Sequence, residues 1–175
     1  MAYTTPYSRR GDDNNDDDAL VAEPLSEYER ERGKPIPSLN HAFLQKRVIA
    51  ALLRYELQYL VLPEISIELA EQRYTPDIAV YFHFPINWKT DVIRLAEPPL
   101  LTIEILSPKQ ALSDVFAKAD EYLDNGVEEA WIVIPEIQSI TVCKKLEKHK
   151  TYTTGEVRHA QTGITLSIEE LFALA

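Results

Sequence analysis

From about residue 38 onward, apolar and polar positions follow periods that identify elements. Leu44, Val48, Ala51, Leu52 and Tyr55 recur at three- and four-residue spacing, the stripe that one face of an α-helix makes, while Lys46, Arg54 and Gln58 fall off it. Ser38 or Asn40 supplies an N-cap, which predicts a long helix running to about Gln58. Glu64 to Leu69 then alternates strictly, with Ile65, Ile67 and Leu69 on one face and Glu64, Ser66 and Glu68 on the other, the two-residue period of a half-buried strand. Ile78 to Phe82 is a second apolar run, entered from Tyr74-Thr75-Pro76-Asp77. Residues 83–99, with Pro85, Pro98 and Pro99, read as an irregular excursion. Leu100 to Leu106 is almost continuously apolar, as in the middle of a sheet, and Ser107-Pro108 ends it.

A helix is expected from Lys109 or Ser113 to Asn125, closed by Gly126. Ala130 to Ile134 forms another buried strand. Ser139 to Lys145 follows with Ile140 and Val142 inward, Glu147 to Thr154 is its hairpin partner, and Ile168 to Leu174 is a short closing helix. Ahead of the long helix, Leu25 to Arg32 can form a short helix that Gly33-Lys34-Pro35 ends, and Pro35-Ile36-Pro37 is extended. The order is helix, three strands, helix, strand and a C-terminal hairpin. That order predicts an α/β (α+β) domain: a mixed central sheet flanked by helices, with a crossover between the third and fourth strands that permits parallel neighbours.

Composition narrows the picture. The 175 residues include 18 Lys and Arg against 28 Asp and Glu, a formal net charge of −10, which argues against a protein that coats nucleic acid electrostatically. The charge is uneven. Residues 1–24 hold six acids and two arginines, a net −4, and the run from Asp12 to Asp18 has nothing to bury, so a disordered acidic tail is expected there. Residues 25–175, a single domain, keep 22 acids and 16 bases, a net −6. Cys143 is the lone cysteine, which excludes an internal disulfide and a cysteine metal cage and leaves an inert thiol. The polar N-terminus and the absence of a long apolar run predict a cytoplasmic protein with no membrane partner.

Two carboxylates stand out by context. Glu104 interrupts Leu101-Thr102-Ile103-Glu104-Ile105-Leu106, where a charge is costly unless it is paired, metal-bound or at a cleft. Asp77 opens the second apolar strand directly after Pro76. If these strands pair, both acids meet at one end of the sheet, where oxygen ligands suit Mg²⁺ or Mn²⁺. A turn residue after Pro76 and a solvated sheet face account for the same positions. Lys118, on the helix after the Glu104 strand, could lean over the sheet end and stabilise charge on a phosphate or activate a water. A surface pair with Asp114, four residues before it, is the simpler alternative.

Pro76-Asp77, then Glu104-Ile105-Leu106-Ser107-Pro108, then Asp114 to Lys118 and Tyr122 to Trp131, resemble in order and spacing the PD-(D/E)XK nuclease superfamily. More narrowly, they resemble the Uma-two family of predicted restriction-endonuclease-like proteins. Glu29 to Lys34, Pro37 to His41, Thr75 to Tyr81, Glu97 to Leu101 and Tyr122 to Val133 are also similar to that family, over about Leu25 to Ile134 and more weakly to the end. The resemblance implies a restriction-endonuclease-like core. It also implies Asp77, Glu104 and the backbone carbonyl of Ile105 as Mg²⁺ or Mn²⁺ ligands, and Asp77, Glu104 and Lys118 as catalytic residues. Leu106 stands where an E-x-K motif has its lysine, so Lys118 is the replacement and Lys109, at the strand-to-helix turn, the rival. His41, Glu29 and Glu31 are secondary candidates, each also readable as a solvated or helix-start residue.

The function implied is a metal-dependent endonuclease that hydrolyses DNA, with DNA bound weakly in the absence of metal. A patch from Lys46, Arg47, Lys109 and Lys118 could guide a strand. The alternatives are a non-catalytic binding or assembly module on a nuclease fold and, more weakly, a metal hydrolase of small phosphate compounds. The excursion at 83–99, with Trp88, is a candidate for contacts in a homodimer. Trp131 and Tyr122 read as core.

Overall fold

The protein is seen in a computed structural model that describes residues 37–173. The expected acidic tail, the short helix at 25–32 and the candidates Glu29 and Glu31 lie outside the described residues.

Helix α1 spans Leu39–Leu52. Ser38 caps it, its Oγ accepting the His41 backbone N–H at 3.2 Å, and Leu44, Val48 and Leu52 form its buried stripe. The helix is shorter than its apolar spacing suggests. A 3₁₀ turn at Leu53–Tyr55 ends it, and strand β1 (Tyr59–Pro63) follows where no strand was expected. The chain has stronger partners there: β1 pairs antiparallel with β4 (Ile78–Phe82), from Tyr59 opposite Phe82 to Pro63 opposite Ile78. Between them, β2 (Ser66–Leu69) pairs with β3 (Gln72–Tyr74) and with the two-residue β5 (Arg94–Leu95), the only strand within the otherwise irregular excursion among the described residues.

Strand β6 (Leu101–Ile105) is buried at every position. It lies antiparallel to β4 on one side and parallel to β7 (Glu129–Ile134) on the other. Helix α2 (Leu112–Asp124) makes the crossover that parallel pairing requires. Strands β8 (Ser139–Lys144) and β9 (Lys150–Tyr152) complete a six-stranded sheet in the order β1-β4-β6-β7-β8-β9. A hairpin, β10 (Glu156–Arg158) with β11 (Thr165–Ser167), and the short α3 (Ile168–Phe172) close the chain. The expected mixed sheet flanked by helices is therefore observed, with short additional strands that carry too few residues to show a period of their own.

The sheet separates two apolar layers. On one face α1 and the C-terminal hairpin cover Ile78, Val80, Leu101, Ile103, Trp131 and Val133. On the other, Val115, Ala119, Tyr122 and Leu123 of α2, with Ile67, Leu69 and Tyr74 of the small sheet, cover Ala79, Ala130 and Ile132. This alternation along β6 and β7 sends every second side chain to the α2 layer.

Gly126 ends α2 at a φ of +100°, and a Cβ there would lie 3.2 Å from Cγ of Pro98. Both the left-handed backbone and the proline oppose a side chain. Gly126→Ala is expected to lower stability by about 1–2 kcal/mol, read as a lower urea midpoint at unchanged slope. Among the described residues no helix is long and apolar enough to cross a membrane.

Candidate active site

The β4–β6 register places the two acids. Ile78 opposes Ile103 at the end of this antiparallel ladder, so Asp77, the residue before Ile78, and Glu104, the residue after Ile103, lie at the same end of the two strands. Both are buried, Asp77 at 3 % exposure and Glu104 at 4 %, so neither is the exposed turn residue or solvated sheet-face residue that pattern alone allows.

Asp77 is held from several sides. Its Oδ2 accepts the Ile105 backbone N–H at 2.8 Å, and its own carbonyl accepts from Gln45 Nε2 at 3.2 Å and from the Glu64 N–H at 3.1 Å. Oδ1 lies 3.5 Å from Nε2 of His41, which is itself buried and whose Nδ1 is 3.0 Å from Ser107 Oγ. His41 and Gln45 are one helical turn apart, so a single face of α1 delivers both to Asp77.

Glu104 is held from α2. Lys118 Nζ lies 2.8 Å from Oε1, and the Tyr122 hydroxyl donates to the same oxygen at 2.7 Å. Lys118 and Tyr122 are again one turn apart, and the ammonium sits 5.7 Å from the tyrosine ring centroid, a cation–π distance. Burial, and after it the Glu104 charge, push the Tyr122 phenol well above its usual pKa, so it stays a proton donor to Glu104 at ordinary pH. Both donors use Oε1, which leaves Oε2 for another ligand. The Lys118 side chain is 22 % exposed, so its ammonium stands between a buried carboxylate and solvent.

Lys118 therefore pairs with Glu104, and the Asp114 carboxylate accepts from Ser113 Oγ. The lysine's placement has a packing reason. Leu106, two residues after Glu104, points to the same face and packs in the α2-side core, so the ammonium reaches Glu104 from the helix above rather than from the strand. Lys109 is exposed at the strand-to-helix turn. Of the basic residues expected to guide a strand, Arg47 is turned away, donating to the carbonyls of Glu170 and Leu171 at 2.8 and 3.1 Å. Trp131 and Tyr122 are core residues, and Trp88 is 92 % exposed. Cys143 is buried, and burial pushes its thiol up to about 12, which keeps it unreactive.

Three contacts escape a reading of the sequence: Tyr122 on Glu104, Ser107 on His41, and Gln45 on the Asp77 backbone. The four-residue spacing of Lys118 and Tyr122 was the available signal for the first.

Among the described residues no three His, Cys, Asp or Glu side chains gather as a metal cage. The donor set is instead two carboxylates at one end of the sheet. This fits Mg²⁺ or Mn²⁺, which are held by one or two carboxylates and keep several waters, and it does not fit a closed structural zinc site.

A mixed sheet with a parallel β6–β7 crossover and acids at the end of its central strands defines a restriction-endonuclease-like fold. The crystal structure of "a putative nuclease belonging to DUF820" from Anabaena variabilis ATCC 29413 has this fold, with a TM-score of 0.70 and 21 % sequence identity over 79 % of this chain and 83 % of that one. The family model Uma2, described as "Putative restriction endonuclease", matches residues 18–175, and the chain belongs to that family. No curated protein is significantly similar to it.

Proposed function

We propose that the protein is a metal-dependent endonuclease that hydrolyses phosphodiester bonds of DNA at Asp77, Glu104 and Lys118. The observation that carries this reading is a buried Glu104 with Lys118 Nζ 2.8 Å away, at the same end of the β4–β6 ladder as Asp77. Asp77 and Glu104, with the backbone carbonyl of Ile105, would hold Mg²⁺ or Mn²⁺. Bound there, the cation would supply Lewis acidity toward a phosphate oxygen and make a water more acidic.

The chain's own groups do the rest. The Lys118 ammonium, at the solvent edge, neutralises charge that develops on the phosphate when a water oxygen adds to phosphorus. The attacking water gives up a proton to solvent, the bond from phosphorus to the leaving oxygen breaks, and that oxygen takes a proton from solvent. Tyr122 and Lys118 together fix the Glu104 carboxylate, so it does not have to reorganise during the reaction. The net charge of −10 fits weak DNA binding without metal.

Full-length protein should nick supercoiled plasmid or cut single-stranded DNA at low salt with Mg²⁺ or Mn²⁺, and chelation or Lys118→Ala should abolish this. Mn²⁺ uptake without cleavage of any nucleic acid would instead support a non-catalytic module on the nuclease fold.

A further inference from the structure

Three polar side chains, Ser107, His41 and Asp77, form a buried chain at the sheet end, at 5 %, 6 % and 3 % exposure. They come from separate elements: the turn after β6, the first turn of α1, and the entry to β4. Burying three polar groups together is costly unless each is satisfied. Their chemistry sets the direction of the bonds. Carboxylate oxygens only accept, so the imidazole nitrogen facing Asp77 Oδ1, Nε2 at 3.5 Å, presents a proton. In the neutral ring Nδ1 is then an acceptor, and Ser107 Oγ, 3.0 Å away, donates to it. The carboxylate thereby has a partner at each oxygen, the His41 ring facing Oδ1 at 3.5 Å and the Ile105 N–H donating to Oδ2 at 2.8 Å. With Ser107 shut off from solvent, its hydroxyl is placed to orient the ring, not to attack a substrate.

We infer that His41 is a positioning residue: with Ser107 behind it, it fixes the Asp77 carboxylate in the orientation that the metal site needs. The inference rests on the proposed nuclease reading for its purpose, but its geometry concerns Asp77 alone. Groups that hydrogen-bond a ligating carboxylate typically change metal affinity by about 10–100-fold when removed.

Two neighbouring amides separate this role from simple stability. The Ile105 N–H is bonded to Asp77, whereas the next amide, Leu106, is bonded to the Val133 carbonyl at 2.9 Å. In full-length protein without metal, His41→Ala should move the Ile105 amide proton upfield and speed its exchange while leaving Leu106 unchanged. His41→Gln, whose amide nitrogen can replace Nε2 toward Asp77, should restore Ile105; His41→Asn, which reaches only as far as Nδ1, should not. Calorimetric titration with Mn²⁺ should then show an affinity about 10–100-fold weaker in His41→Ala, and within a few-fold of wild type in His41→Gln.

An unchanged Ile105 amide in His41→Ala overturns the inference, as does equal loosening of Ile105 and Leu106, or a glutamine that fails to restore. If wild-type protein takes up no Mn²⁺ while Ile105 responds as described, the positioning of Asp77 stands and the metal reading of the site fails.

Discussion

On the proposed reading, Glu104→Gln is expected to abolish metal-dependent cleavage while the protein stays folded. Glutamine keeps the volume of the side chain, and its carbonyl can still accept the Tyr122 hydroxyl that now donates to Oε1 at 2.7 Å. Lys118 is 22 % exposed, so its ammonium can turn to water when its partner is gone and is not stranded as a buried charge. What disappears is the negative charge that, on the proposed reading, would draw the cation to the β6 end of the site. Lewis-acid stabilisation is worth several kcal/mol, and each ~1.4 kcal/mol is a factor of ten in rate. The expected loss is therefore about 10²–10³-fold or more in cleavage rate, accompanied by loss of Mn²⁺ uptake, against a change in unfolding free energy, read by urea titration, of about 1 kcal/mol or less. A Glu104→Gln protein that cuts DNA at the wild-type rate would remove Glu104 from the mechanism.

The largest effect on stability belongs to Trp131. It is fully buried in the middle of β7, opposite Val142 of β8 and beside Ile103 of β6, at the centre of the α1-side core. Its indole N–H donates at 3.0 Å to Oε2 of Glu129, a third buried carboxylate, whose Oε1 takes Lys144 Nζ at 2.8 Å. Trp131→Ala opens a cavity and also strips one oxygen of Glu129 of its donor. Truncations of this size cost about 3–5 kcal/mol, a large part of the stability of a small domain. Equilibrium urea unfolding should show that loss. Trp131→Phe should fall between, since it restores much of the volume but not the N–H. A loss below about 1 kcal/mol for alanine would mean that the β7 layer repacks, and the two-layer core described above would be wrong.

Much of this was legible in the chain because it depends on short-range periodicity. The buried stripe of α1, the crossover helix and its Gly126 stop, and the apolar runs of β6 and β7 all follow from spacing that any segment carries by itself. Strand β1 did not announce itself. Tyr59-Leu60-Val61-Leu62 is apolar without alternation and continues the helix's apolar content, so only its pairing with β4 identifies it. The same holds for the three-residue strands of the C-terminal hairpin.

At the site, Glu104 and Asp77 were visible because a charge among apolar residues, or one behind a proline at a strand entry, breaks a local rule. The partner of Lys118 was not, since Asp114 offered a local pair at the same helical spacing. Ser107, Gln45 and Tyr122 broke no rule. Their roles arise when α1, the β6 turn and α2 converge at one end of the sheet.

The central claim is that Asp77 and Glu104 are one cation site. Crystals of the protein soaked in Mn²⁺ test it most directly through anomalous scattering. The account predicts a single strong peak between the Asp77 and Glu104 carboxylates, with the Lys118 ammonium at the edge of the same site, and no such peak in Glu104→Gln. Manganese bound elsewhere, with both carboxylates free of it, would contradict the account.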